Sequence, residues 1–160
     1  MILQNQIDKY SARRTINSCV YKLSYGGKYI IVKGKTLAGS LYQIQKVFPW
    51  FKETMRSNLY YHFYMYVIQN PGKKFTVRVL SRSRNHYTIL KREQIELDKG
   101  LYEGNMLNNS LEAYVPLWNE EKGTYGSWID KMAVMNFRKY LKSKVRKQFL
   151  KELRKSNGLK

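Results

Sequence analysis

The chain has 160 residues, and its 30 lysines and arginines against 11 aspartates and glutamates give a formal net charge of +19. Charge of this size weakens a compact state by self-repulsion, so it predicts a negatively charged partner: nucleic acid, an acidic protein surface or a membrane surface. A single cysteine excludes an intrachain disulfide framework, and no apolar run is long enough to cross a bilayer, so neither a disulfide-rich scaffold nor a membrane protein is expected.

The first strongly predicted element is a β-hairpin. Residues 1–17 are polar and predict an N-terminal arm or a short helix. Residues 19–33 then hold two runs rich in β-branched and aromatic residues, on either side of Gly26 and Gly27. A Gly-Gly pair allows positive φ at both central positions of a tight turn, so this pattern predicts two antiparallel strands.

Two helices are predicted next. Apolar residues at helical spacing predict a short helix over about residues 39–49. The following run, 59–68, is rich in residues that favour strands, yet Leu59, Phe63 and Tyr66 line one helical face. We predict a helix over residues 58–69, because this order also fits the family resemblance described below.

The middle of the chain alternates between regular elements and turns. Residues 75–80 alternate apolar and polar side chains and predict a third strand. Asn85 is a suitable cap for a helix over about residues 87–98. Residues 100–126 contain glycine, asparagine and proline and predict an ordered loop.

From about Ser127 the sequence predicts one long amphipathic helix that is strongly basic. Its apolar stripe recurs every three or four residues: Val134, Phe137, Leu141, Val145, Phe149 and Leu153. Nine cations surround the stripe: Arg138, Lys139, Lys142, Lys144, Arg146, Lys147, Lys151, Arg154 and Lys155. Because ordinary surfaces mix both signs of charge, we predict that these cations contact DNA phosphates or an acidic protein surface.

Four segments in order resemble the GIY-YIG nuclease family. They are the hairpin (residues 19–36), the helix-then-strand segment (57–80), the helix start with Glu93 (90–94) and an Asn-rich turn (105–108). The resemblance covers about residues 19–109. It implies a small, mostly antiparallel three-stranded sheet flanked by helices, so we predict an α/β domain over 18–110, with residues 111–160 forming the loop and basic helix.

The resemblance also implies a catalytic site. In that family a tyrosine pair, an arginine and a glutamate act with a divalent metal on a phosphodiester. On the matching positions Tyr21 is the first tyrosine and Glu93 is the metal ligand, with Mg²⁺ or Mn²⁺ as the cofactor if the site is active. The residues themselves allow other roles: Tyr21 as a half-buried strand tyrosine, and Glu93 as the partner of a neighbouring lysine or arginine.

Two positions depart from the family pattern. Val32 stands where the second tyrosine is expected, and the next helix has no arginine, its nearest basic residue being Lys46. Lysine cannot supply the bidentate fork of arginine. Losing one preorganised charge stabiliser lowers a rate by about a hundredfold or more. We therefore predict no catalysis and no cofactor, with Tyr21 and Glu93 as vestiges.

Three further segments resemble proteins of large tailed phages: residues 107–109, 112–116 and 118–121. This resemblance implies a non-catalytic, virion-associated structural protein, in the head, the connector or the packaged contents, assembled in the host cytoplasm. The expected partners are DNA, other virion proteins or acidic protein surfaces, within a larger assembly and without a membrane. The alternative is a metal-dependent GIY-YIG-type DNA endonuclease.

Overall fold

A three-stranded antiparallel sheet lies between helices on both of its faces, which confirms the predicted α/β class. The computed structural model describes residues 3–11 and 17–158. The sheet order is β2–β1–β3. In chain order the elements are α1 (Gln4–Ser11), β1 (Ser18–Tyr25), β2 (Lys28–Gly34), α2 (Leu37–Val47), α3 (Tyr61–Gln69), β3 (Phe75–Ser83), α4 (His86–Glu103), β4 (Trp118–Asn119), β5 (Thr124–Tyr125), α5 (Lys131–Leu141) and α6 (Lys144–Ser156).

The predicted hairpin is confirmed as β1 and β2. Gly26 and Gly27 have φ values of 58° and 84°, a backbone region that other residues adopt at a steric cost. The turn fixes the register, which pairs Tyr25 with Lys28 and Tyr21 with Val32. Of the predicted arm, α1 is helical, while Arg13 and Arg14 lie outside the described residues.

The helix predicted over 58–69 is confirmed for Tyr61–Gln69. It buries Phe63, Tyr64 and Val67 against the sheet, so the packing of one helical face outweighs the strand propensity of these residues. β3 extends to Ser83, three residues beyond the predicted end at 80.

Helices α2 and α4 have capped ends that define their lengths. In α2 the Thr36 side chain accepts a hydrogen bond from the Gly39 N–H, so the helix begins at Leu37, slightly earlier than predicted. Asn85 caps α4 as predicted, but α4 continues to Glu103 and ends at Gly104, where φ is 96°. The predicted loop over 100–126 therefore includes the end of α4, and it also holds the β4–β5 hairpin.

The sheet separates two apolar cores. On one face α1, α2 and α3 pack over β1 and β2, around residues such as Leu23, Ile30 and Phe63. On the other face α4 and α5 form a core that includes Ile31 and Phe137. Among the described helices none is long and apolar enough to span a membrane.

The Asn-rich turn closes the outer edge of β2. Tyr29 exchanges backbone hydrogen bonds with Asn105 and Leu107, at 3.1 and 2.8 Å. The Asn108 amide then accepts from the Ile31 N–H and donates to the Ile31 carbonyl, both at 2.9 Å. One side chain thus satisfies the backbone groups that a further strand would have paired.

The prediction of one long C-terminal helix is wrong, because the segment forms two helices, α5 and α6. Asp130 caps α5, so residues 127–130 are not helical. Ser143 has an extended backbone (φ −75°, ψ 155°), and its hydroxyl accepts from the Arg146 N–H at 3.2 Å, which starts α6 as a separate helix. Val145, which the pattern places on the apolar stripe, is 68% exposed.

Candidate functional site

Helix α6 is strongly basic, because six of its 13 residues are lysine or arginine and Glu152 is its one acidic residue. This helix contributes no buried residue. Four of its lysines are exposed and fall on one side of the helix at 3.6 residues per turn. These residues, the outward lysines, are Lys144, Lys147, Lys151 and Lys155. On the opposite side, Arg146, Leu150 and Leu153 are only partly exposed and face the body of the protein.

Two contacts with α4 hold α6 in place. The Arg146 guanidinium binds the buried Asp98 carboxylate through Nε and Nη2, each at 3.2 Å. Gln94 also donates to Asp98, at 2.9 Å. Arg154 Nε donates to the Tyr102 hydroxyl at 3.2 Å. Arg146, predicted as a binding cation, is therefore engaged within the chain, and the role of the other eight cations stays a prediction.

The outward lysines have no acidic partner within residues 3–11 and 17–158. The ion pairs there engage Lys33, His86, Arg92, Lys99 and Arg146. Glu152 is the nearest acidic residue in sequence to Lys151, and it accepts a hydrogen bond from Gln148 instead. A cationic surface without internal counter-charges remains able to bind an external anion.

The positive charges of α6 destabilise the helix itself. Its first turn holds Lys144, Arg146 and Lys147 with no acidic residue, at the positive end of the helix dipole. The pairs Lys147–Lys151 and Lys151–Lys155 are spaced i,i+4, which costs a helix about 0.2–0.5 kcal/mol for each like-charged pair. The Ser143 cap and the Asp98 contact offset part of this cost.

The cations that precede α6 form a second, smaller group. Arg138, Lys139 and Lys142 are all exposed, at the end of α5 and in the junction before Ser143. Arg138 also stacks over the Tyr125 ring, with its guanidinium carbon 5.7 Å from the ring centroid. These three cations extend the basic surface from α6 towards α5.

The positions that correspond to the GIY-YIG pattern, Tyr21, Val32 and Glu93, are buried. Tyr21 is 0% exposed, not half-buried as predicted, and its hydroxyl lies 2.7 Å from Ser40 Oγ. Burial raises the pKa of Tyr21 well above its ordinary value, so the phenol stays protonated. Its partner across the hairpin, Val32, is also buried.

Glu93 forms a buried ion pair with Lys33. Lys33 Nζ lies 3.0 Å from Glu93 Oε1, and the two side chains are 7% and 5% exposed. The same ammonium donates to the Tyr114 carbonyl, and backbone N–H groups of Lys33 and Tyr114 also donate to the carboxylate. Burial raises the pKa of Glu93, while the Lys33 charge lowers it. The ion-pair alternative for Glu93 is therefore confirmed.

These surroundings do not fit a divalent metal at Glu93. The Lys33 ammonium and two backbone donors already surround the carboxylate. Tyr21 is not in contact with Glu93 either, because it belongs to the core on the α2 side of the sheet.

A cleft of about 520 Å³ opens beside Val32, the position where the family pattern expects the second tyrosine, but neither Tyr21 nor Glu93 lines it. Val32, Ser40, Tyr60 and Trp128 are among the residues that line it. Tyr60 and Trp128 were not predicted as site residues, because they come from turns far apart in sequence. Lys46 does not line the cleft, so it does not replace the missing arginine.

In comparisons with known proteins, no family model matches the sequence, and no curated protein or solved structure matches the chain. The resemblances to the GIY-YIG family and to phage proteins therefore rest on the motifs quoted above.

Proposed function

We propose that this protein is a non-catalytic component of a phage virion, and that the outward lysines of α6 hold the phosphate backbone of duplex DNA. The observation that carries the proposal is the row of four exposed lysines without acidic partners among the described residues. The virion setting rests on the resemblance to phage proteins.

The size of the lysine row suits a duplex. Lys144 and Lys155 are eleven residues apart, so the row spans about 16 Å at a rise of about 1.5 Å per residue. Duplex DNA carries one charge per about 1.7 Å of axis, which gives roughly ten phosphates over that length. The row therefore has fewer lysines than there are phosphates within reach, so the number of lysines sets the maximum number of phosphate contacts. Contacts between these lysines and backbone phosphates carry no sequence information, so binding is expected to be independent of DNA sequence.

The α6 charges also favour binding over solvation. The like-charged i,i+4 pairs and the basic first turn weaken the free helix. Phosphates beside Lys147 and Lys151 relieve this repulsion, so DNA should stabilise α6 as well as bind it. Hydrogen exchange in α6 should therefore slow on addition of DNA.

The non-catalytic part of the proposal rests on the buried pair. Glu93 is bound by Lys33 and by backbone donors, and the Tyr21 phenol is buried with a raised pKa. Neither group is free to act on a phosphodiester in the cleft. Val32 supplies no hydroxyl where the family pattern expects one.

The test is the salt dependence of binding to a labelled duplex. The logarithm of the binding constant should fall linearly with the logarithm of salt concentration, by about 0.9 for each phosphate neutralised. Changing all four outward lysines to glutamine should reduce that slope by about 3 to 4 and weaken binding to all sequences alike.

A matched control removes the same charge elsewhere. Lys9, Lys46, Lys52 and Lys122 are also exposed, and changing these four to glutamine should leave the slope nearly unchanged. Equal losses in the two variants would overturn the α6 site, and absence of binding at low salt would overturn the DNA proposal in favour of an acidic protein partner. Particles purified from the encoding phage should contain the chain, and its absence from them would contradict the virion setting.

A further inference from the structure

The two outer edges of the sheet are treated differently. Asn108 and the backbone of Asn105 and Leu107 close the β2 edge. β3 is the strand at the opposite side of the sheet, and within residues 3–11 and 17–158 no strand pairs with its outer edge. Alternate residues of such an edge present backbone N–H and C=O groups that a further strand can bind.

The first half of β3, residues 75–79, pairs with residues 21–25 of β1 and has two chemically different faces. Thr76 and Arg78 are exposed, and they lie on the same face of the sheet as Lys22 of β1. Val77 and Val79 point to the other face, where they pack against the core but remain partly exposed. Lys73, Lys74 and Arg84 flank the strand as exposed cations, and residues 70–85 contain no acidic residue.

We propose that the outer edge of β3 binds an extended segment of a partner protein in which acidic and apolar residues alternate, added as a fourth strand. In a strand paired with β3, one set of side chains lies beside Arg78 and the other beside Val77 and Val79. Acidic residues match the first set and β-branched apolar residues match the second. Backbone pairing supplies the affinity and these side-chain pairs supply the specificity.

Charge decides among the possible occupants. A second copy of this chain would oppose Arg78 and its flanking lysines with like charges, on a molecule whose net charge is +19. A DNA strand would offer phosphates to Arg78 but no backbone amides to complete the ladder. The β3 edge is separate from the outward lysines of α6, so this inference is independent of DNA binding.

The test uses the full-length protein and a fluorescently labelled seven-residue peptide that alternates Glu and Val. Anisotropy should show saturable binding, at least tenfold tighter than for a Lys–Val peptide. Two further peptides carry N-methyl groups, one on the odd-numbered amides and one on the even-numbered amides, which removes N–H donors and keeps the charge. One of these two peptides loses the N–H groups that pair with β3, and it should bind at least tenfold more weakly than the parent peptide. Equal affinity of the parent and both N-methylated peptides would overturn strand addition and leave simple charge attraction.

Variants of the protein locate the site. Arg78→Glu should weaken binding of the Glu–Val peptide at least tenfold and strengthen binding of the Lys–Val peptide. Because Arg78 is exposed, this variant should fold, which a thermal melt checks. The variant with four glutamines on α6 should bind the Glu–Val peptide within about threefold of wild type. A large loss in that variant, or no effect of Arg78→Glu, would place the peptide elsewhere and overturn the proposal.

Discussion

The buried pair of Lys33 and Glu93 allows a quantitative prediction. Replacing Lys33 with methionine keeps the volume and apolar stem but leaves the Glu93 carboxylate buried without a counter-charge. Breaking one side of a buried ion pair costs about 3–5 kcal/mol of unfolding free energy. Because two backbone N–H groups still donate to the carboxylate, we expect a value near the lower end, about 3 kcal/mol.

This loss is measurable by thermal unfolding. In a chain of this size each kcal/mol lowers Tm by about 2–4 °C, so Lys33→Met should lower it by roughly 6–12 °C at pH 7. Lys35→Met is the matched control, because Lys35 is exposed and should change Tm little. A Lys33→Met variant that melts within a degree or two of this control would refute the reasoning.

The pH dependence supplies a second check. Burial raises the pKa of Glu93 above its ordinary value of 4.5, and removal of Lys33 should raise it further. Glu93 then binds a proton more readily in the native state than in the unfolded state. The free energy of unfolding therefore falls as pH rises from the pKa of Glu93 in the unfolded state towards its pKa in the native state. Lys33→Met should therefore lose less stability at pH 5 than at pH 7. Adding Glu93→Gln should restore most of the loss at pH 7, because it removes the unpaired buried charge.

Three further predictions concern other contacts. Asp98→Asn should release the Arg146 anchor at a cost of about 1.5–3 kcal/mol, and hydrogen exchange should become faster in α6 while α5 stays protected. Asn108→Ala should lower the unfolding free energy by about 1–3 kcal/mol, measured by urea unfolding, whereas Asn109→Ala should cost less because its two hydrogen bonds are longer, at 3.3 and 3.4 Å. Purified protein should not nick plasmid DNA with Mg²⁺ or Mn²⁺ above background; nicking that disappears in Glu93→Ala would instead support the endonuclease alternative.

Local signals predicted much of the fold. The Gly26-Gly27 pair forms its hairpin turn through its own positive φ values, and the Asn85 side chain caps α4 within its own first turn. For α3, spacing of apolar residues proved more informative than propensity, because the helix buries one face. Local patterns work where the deciding interaction lies within a few residues.

The break before α6 shows where local patterns fail. The apolar spacing from Phe137 through Phe149 continues across Ser143 and hides the interruption. A serine three residues before Arg146 was the available signal, since its hydroxyl caps the second helix. Spacing of apolar residues cannot separate a continuous helix from two helices in sequence.

The candidate site was only partly predictable for a similar reason. Arg146 and Lys147 are adjacent cations in one pattern, yet Arg146 binds Asp98, a residue 48 positions earlier. Glu93 meets Lys33 across 60 positions. Pairing of this kind depends on how α4 packs on the sheet and on α6, which no local pattern specifies.

The closure of the β2 edge by Asn108 has a consequence for the order of folding. The β1–β2 hairpin joins residues close in sequence and can form in about 1–10 μs. The Asn108 contact with Ile31 spans 77 positions, so its loop-closure entropy must be overcome before it contributes. We therefore expect this contact to form after the rate-limiting step, and Asn108→Ala to speed unfolding while leaving the folding rate nearly unchanged. The asparagine would then set how long the native sheet persists once formed.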